Sequence, residues 1–325
     1  LTSTTELTLS DEARAYLEAR RPELPFWDRD IDELRREMRE ECLSGGGEPE
    51  PVASIEGVNA GDVPARQYWP KGAERDVFVW MHGGGWMLGD IDCSDRLSRA
   101  IANRAHCAVL SIAYRLAPEH TFPAAIDDAW TATAWASERF ERVAVGGDSA
   151  GGNLAAAVAL RCRDRGVALA HQLLVYPALQ PDVDSDFFRA FRTRYRHFLG
   201  ERDFGADSQE GIRRVWEVYI PDPLQRTHPD AAPMCAASVA GVAPATIITA
   251  EHDVLRGEGE AYAHRLRDEH VAVELINYDG QLHGFFYLLG VMEAAHDAVE
   301  RASLALRRAF TVVDPSGGSA VGRAS

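Results

Sequence analysis

Hydrophobic and polar positions change rhythm twice along the chain. Up to residue 47 the apolar residues repeat at helical spacing. Ser10 is placed to cap a helix running to about residue 20, which Pro22 and Pro25 then break. Asp30, with Glu33 three residues on, makes a capping-box-like start for a second helix over residues 31–43. Ile31, Leu34 and Met38 fall on one face of it, so this helix is amphipathic and needs a surface to cover. Ser44-Gly45-Gly46-Gly47 ends it.

From residue 52 the pattern alternates between short apolar runs and helical segments. Residues 52–55 and 64–69 predict an antiparallel strand pair with a turn near Gly61-Asp62. Buried strands are predicted at 77–81, 107–113, 143–145, 173–176, 245–249 and 271–276, with helices at 94–105, 123–135, 154–163, 258–267 and 292–310. Such alternation implies an α/β fold with a mostly parallel sheet covered by helices on both faces. Between Pro181 and Pro229 the alternation stops. An insertion of this size in an α/β sheet usually sits over the carboxyl ends of the strands, where sites lie. The tail over 315–325 is small and polar and is expected to be flexible.

Composition narrows the classes without choosing among them. With 46% hydrophobic and 26% charged residues over 325 positions, a sizeable packed core is expected. A formal net charge of −16 argues against nucleic acid or an anionic membrane as a partner, since such a surface repels polyphosphates. The cysteines (Cys42, Cys93, Cys107, Cys162 and Cys235) are scattered, with no metal-ligand spacing, which suits a reducing compartment. No basic, then apolar, leader opens the sequence and no window reaches the length of a membrane span, so a soluble cytoplasmic protein is expected.

The chemistry concentrates in four places. Gly147-Asp148-Ser149-Ala150-Gly151 follows a short buried run and precedes an alanine-rich helix, which is the setting of a nucleophile elbow. His82-Gly83-Gly84-Gly85-Trp86 follows the strand at 77–81. Consecutive glycines there let backbone N–H groups turn toward one point, where they stabilise an oxyanion together with the amide of Ala150. A serine nucleophile needs an imidazole base, and the base needs a carboxylate to hold its tautomer. His283 stands directly after a predicted strand in Tyr278-Asp279-Gly280-Gln281-Leu282-His283-Gly284-Phe285. Asp253 follows the strand at 245–249, and the order Ser149, Asp253, His283 suits the fold. Glu251 and His252 are its close rivals; Asp253 is favoured by its place at the far end of the loop. No metalloenzyme or phosphate-cradling pattern occurs.

Together His82-Gly83-Gly84-Gly85, Tyr114-Arg115-Leu116-Ala117-Pro118-Glu119, Gly147-Asp148-Ser149-Ala150-Gly151-Gly152, Asp253 and His283-Gly284-Phe285 resemble the hormone-sensitive-lipase family of α/β-hydrolases. The resemblance spans about residues 52–310. It implies an eight-stranded α/β-hydrolase core over 48–314, capped by the helices of residues 1–47 and the insertion at about 181–229. It also implies an esterase-type serine hydrolase for a small-molecule ester of small or medium acyl chain. Its oxyanion donors would be Gly83, Gly84 and Ala150, with no cofactor and no metal. The family includes homodimers built on the last strand and helix, and nothing in residues 271–276 or 292–310 decides that state here.

The family usually follows its triad aspartate with Pro-Leu-Arg-Asp-Glu, where this chain has Val254-Leu255-Arg256-Gly257-Glu258. Arg189, Arg192, Arg194 and Arg196 alternate with aromatics within residues 187–198. They read either as recognition of an acidic or aromatic substrate or as a solvated helix face, and the solvated face is the commoner case. Two rival activities remain open on sequence alone. One is acyl transfer or amide cleavage through the same acyl-enzyme. The other is non-catalytic ligand binding, as in the plant gibberellin receptors that resemble this family, against which the complete set Ser149, Asp253 and His283 speaks.

Overall fold

The computed structural model describes residues 8–19, 26–73, 75–185 and 208–311. A single eight-stranded sheet organises them, in the order β1-β2-β4-β3-β5-β6-β7-β8. β1 (Ser54–Ala60) and β2 (Val63–Trp69) form an antiparallel hairpin, and β2 is also antiparallel to β4 (Ala108–Ile112). The remaining pairings are parallel: β3 (Asp76–Met81) lies between β4 and β5 (Arg142–Asp148), followed by β6 (His171–Val175), β7 (Ala245–His252) and β8 (Val273–Leu282). The middle strands are buried and mostly apolar because helices cover both of their faces. Those helices are α3 (Asp95–Ala105), α4 (Ala124–Ser137), α5 (Ala150–Arg165), α7 (Arg256–Asp268) and α8 (Glu293–Thr311).

The strand boundaries differ from the sequence expectation where a strand has no continuous apolar face. β1 begins near the end of the expected 52–55 run and extends to Ala60, because Glu56, Gly57 and Asn59 lie exposed at the sheet edge. Gly61 and Asp62, at φ 65° and 73°, form the hairpin turn whose twist matches the two strands. β8 continues past residue 276 through Asn277, Asp279 and Gln281, polar positions that look like loop in sequence.

Two N-terminal helices reach the carboxyl end of the sheet. Ser10 caps α1 (Asp11–Ala19) by accepting the N–H of Ala13, as expected. Asp30 caps α2 (Ile31–Gly45), accepting from the N–H groups of Asp32 and Glu33. Arg35 of α2 donates to the carbonyls of Met87 and Ala117 and forks onto the carboxylate of Glu119. Arg39 pairs with Asp90. The insertion contributes α6 (Gln209–Tyr219), whose cap is Ser208. The Arg/aromatic stretch 187–198 and the tail 315–325 lie outside the described residues. Among those described, no helix is long and apolar enough to cross a membrane. All five cysteines are free thiols.

Candidate active site

The elbow is made by close approach. Ser149 sits between β5 and α5 at φ 53°, a left-handed conformation that costs a non-glycine residue about 1–3 kcal/mol. Its N–H donates to the Val175 carbonyl of β6 at 2.9 Å, which fixes the turn to the next strand. A Cβ on Gly151 would stand 1.9 Å from the carbonyl oxygen of Met81, and one on Gly147 2.3 Å from Gly151 itself. Only glycine permits α5 to start against the end of β3 in this way.

Ser149 Oγ lies 3.0 Å from His283 Nε2, and His283 Nδ1 lies 2.7 Å from Asp253 Oδ2. Asp253 is buried, and its other oxygen accepts the N–H of Leu255 at 2.8 Å, so the side chain is held at both ends. A carboxylate at Nδ1 makes that nitrogen the proton carrier and makes Nε2 the base that takes a proton from the serine. The structure therefore brings together the three residues expected from sequence. Glu251 instead accepts the N–H of Gly280 at 2.7 Å, and His252 faces the carbonyl of Thr8 at 3.3 Å, while Asp253 is the carboxylate bonded to Nδ1 of His283.

The His82–Trp86 loop requires one correction. Gly83, expected as an oxyanion donor, gives its N–H to Asp148 Oδ1 at 2.7 Å, and an amide so engaged has no proton left for substrate. Among the described residues no hydrogen bond engages the N–H of Gly84 or Gly85. Ala150 opens α5, where an amide has no intrahelical acceptor. The loop also folds back on itself, with the Gly84 carbonyl accepting from Met87 and Leu88.

The sequence does not single out Asp148, although it stands inside the elbow motif. Besides Gly83, its Oδ1 accepts the hydroxyl of Tyr287 at 2.8 Å, and Tyr287 in turn receives the indole N–H of Trp80 at 3.3 Å. Burial pushes the Asp148 carboxyl up to about 6, against the downward pull of Tyr287, His283 and the Gly83 N–H. Nothing local marks this residue, because its partners lie far away in sequence. Tyr114 was noticed only as part of a motif. Its hydroxyl donates to the His82 carbonyl at 2.7 Å and its ring stacks on the imidazole of His82 at 4.4 Å. Burial pushes His82 below its ordinary value, and its Nδ1 donates to the carbonyl of Gly83.

Three further groups complete the surroundings. Tyr176, at φ 33°, holds its ring 4.6 Å from that of His283. Trp86 stacks on Tyr219 at 4.4 Å and meets Trp216 at 4.6 Å, so α6 leans on the glycine loop. Val215 reinforces this contact: a Cβ on Gly85 would come within 2.8 Å of it. Glu258, wholly buried, accepts the N–H groups of Leu179 and Gln180 at 2.6 and 3.1 Å. Burial pushes its carboxyl up to about 8.

Comparison with known proteins points the same way. A family model for the alpha/beta hydrolase fold matches residues 78–287. The carboxylesterase NlhH of Mycobacterium tuberculosis is 39% identical over 263 residues, covering 77% of this chain and 79% of that protein. LipN of the same organism, a carboxylic ester hydrolase, is 39% identical over 280 residues, with 80% and 72% covered. Among solved structures, the hyperthermophilic esterase from the archaeon Pyrobaculum calidifontis superposes with a TM-score of 0.84 at 32% identity, over 94% of this chain and 100% of that one. An eight-stranded sheet, an elbow serine at the end of its fifth strand and relatives of this breadth lead to one conclusion: the chain belongs to the α/β-hydrolase family.

Proposed function

We propose that this member of the family is of the hormone-sensitive-lipase type and cleaves esters of small or medium acyl chain, with Ser149 as nucleophile. Its kinship makes the protein a carboxylic ester hydrolase; the residue roles are our reading. The observation that carries them is the hydrogen-bonded line Ser149 Oγ, His283 imidazole, Asp253 carboxylate, set on a strained turn.

Ser149 Oγ attacks the ester carbonyl as His283 Nε2 takes its proton. Asp253, already bonded to Nδ1, stabilises the imidazolium that forms. The N–H groups of Gly84, Gly85 and Ala150 receive the developing oxyanion, worth roughly 3–4 kcal/mol per donor in comparable sites. Collapse expels the alcohol, which leaves with the proton from Nε2, and the acyl group remains on Ser149. Water then enters, loses a proton to His283 and releases the carboxylic acid by the same steps in reverse.

In this reading residues 1–47 and the 181–229 insertion form the cap over the acyl and alcohol pockets of a core at 48–314, with 315–325 as a tail. The contacts of Arg35 and of Trp216 and Tyr219 support the cap assignment. The free thiols support a cytoplasmic, reducing setting. The position of β8 at the sheet edge among the described residues and the exposed Leu304 of α8 support a homodimer contact at that end of the sheet.

Hydrolysis of p-nitrophenyl esters from acetate to dodecanoate, by the wild type and by Ser149→Ala, tests the proposal. Turnover is expected to peak at short or medium chains and to fall on the order of a million-fold in the variant. Turnover that survives the substitution would remove Ser149 from the mechanism.

A further inference from the structure

The ends of β7 and β8 carry the acid and the base, and their pairing is irregular at that point. From Ala245 opposite Val273 to Ala250 opposite Tyr278 the two strands run in one register. The next pair is His252 opposite Leu282. One residue of β7, Glu251, thus faces three of β8: Asp279, Gly280 and Gln281. Had the first register continued, Asp253 would come opposite Gln281. The bulge instead carries it opposite His283, where the 2.7 Å contact forms.

A bulge leaves backbone groups without ladder partners, and those of Gly280 are met by a β7 side chain and by the N-terminal segment. Its N–H donates to Glu251 Oε2 at 2.7 Å. Its carbonyl accepts the N–H of Ser10 at 3.0 Å, and the side-chain amide of Gln281 donates to Ser10 Oγ at 3.1 Å. Gly280 lies at φ 71°, and a Cβ there would stand 2.8 Å from the Ser10 nitrogen, so the segment tolerates no side chain at its tip.

We infer that Glu251 is a positioning residue for the acid–base pair: its carboxylate holds the β8 bulge that sets His283 against Asp253. Without that acceptor the bulged register loses its internal anchor, and the straight register, which misplaces His283, gains weight. The inference rests on the triad reading of the preceding subsection. His283 faces Asp253 from the loop after β7, Ser149 and Asp148 from the elbow and β5, and Tyr176 from β6, while Glu251 itself lies 3.7 Å from Nε2 of the neighbouring His252.

The test compares Glu251→Ala and Glu251→Gln for kcat, KM, melting temperature and the pH dependence of kcat/KM, with Ser149→Ala alongside. Glu251→Ala is expected to lower kcat on the order of tenfold to a hundredfold with KM little changed. Its acid limb should move to lower pH, because an imidazolium held less closely by Asp253 loses its proton more readily. Glu251→Gln, whose amide oxygen still accepts the Gly280 N–H, should recover most of the rate and the wild-type limb. Should the alanine variant not fold, Glu251→Met carries the same expectation, since it fills the space with only a weakly accepting thioether. A variant lacking the acceptor that keeps the wild-type kcat and acid limb overturns the inference, whatever its melting temperature. Activity that survives in Ser149→Ala overturns the triad reading instead, so the two failures are told apart.

Discussion

The two halves of the site are built in different ways. The nucleophile half, Ser149 with the His82–Trp86 loop, rests on central strands and on backbone-to-backbone proximity: Gly147 and Gly151 touch each other and the end of β3. The acid–base half, Asp253 with His283, stands where β7 and β8 leave regular pairing. It is held by side chains and by the N-terminal segment, through Glu251, Ser10 and Leu255. Steric exclusion at buried glycines has few alternatives, so the first half is set once the sheet forms. A bulge fastened by hydrogen bonds has a competing register, so the second half depends on distant contacts. Rigidity therefore lies under the group that forms the covalent bond, and adjustability under the group that moves protons.

The largest effect expected on the acid–base half comes from Asp253→Asn. The amide is nearly isosteric, and the Leu255 N–H keeps an acceptor, so folding should survive. The imidazole, however, loses the charge that stabilises its protonated form and that dictates its tautomer. Turnover should fall by about 10⁴-fold with a melting temperature close to the wild type. Loss of no more than about tenfold would mean that position, not charge, is what Asp253 supplies.

On the nucleophile half the corresponding change is Asp148→Ala. It releases the N–H of Gly83 and the hydroxyl of Tyr287, and with them the tie between the glycine loop and the elbow. A displaced oxyanion donor lowers kcat by about a hundredfold, and KM should move little because the lost contact matters in the transition state. Asp148→Asn retains an acceptor for both donors and should fall less. Equal losses in the two variants would show that the charge of Asp148, and not its grip on the loop, is what counts. The halves would then be less different than their construction suggests.

How much of this could be read from the chain follows the same division. Motifs that work through local geometry are visible: Gly147 and Gly151 flank Ser149 because the turn excludes any Cβ, and the parallel core strands announce themselves as apolar runs. Contacts between distant segments leave no local trace. Gly83 looked like a donor because a triple glycine frees its amides, yet Asp148, 65 residues later, takes that proton. Residues 277–282 looked like loop because a bulged strand end, capped by Glu251 and Ser10, has no reason to alternate. Asp253 was preferred to Glu251 by position alone; the structure adds that Glu251 is engaged with Gly280.

The smallest effect concerns Glu258, which lies at the start of α7 and holds the turn after β6 through Leu179 and Gln180. Burial raises its carboxyl from 4.5 to about 8, although the N–H groups of Leu179 and Gln180 pull the other way and Asp253 adds to the rise. Between those two values the folded protein holds a proton that the unfolded chain has released. Stability from this group is therefore full below about 4.5, declines as pH rises through the window, and levels off above about 8. Glu258→Gln removes the titration and keeps an oxygen for both N–H groups. The variant should melt with the wild type at pH near 5 and a few degrees above it at pH near 8, each ~1 kcal/mol being worth about 2–4 °C in a chain of this size. Its kcat should change little, since its hydrogen bonds hold the N–H groups of Leu179 and Gln180, which the variant's oxygen still accepts. A melting difference of the same size at both pH values would mean that the carboxyl is ionised throughout. The turn after β6 would then be held by a buried charge rather than by a neutral acid.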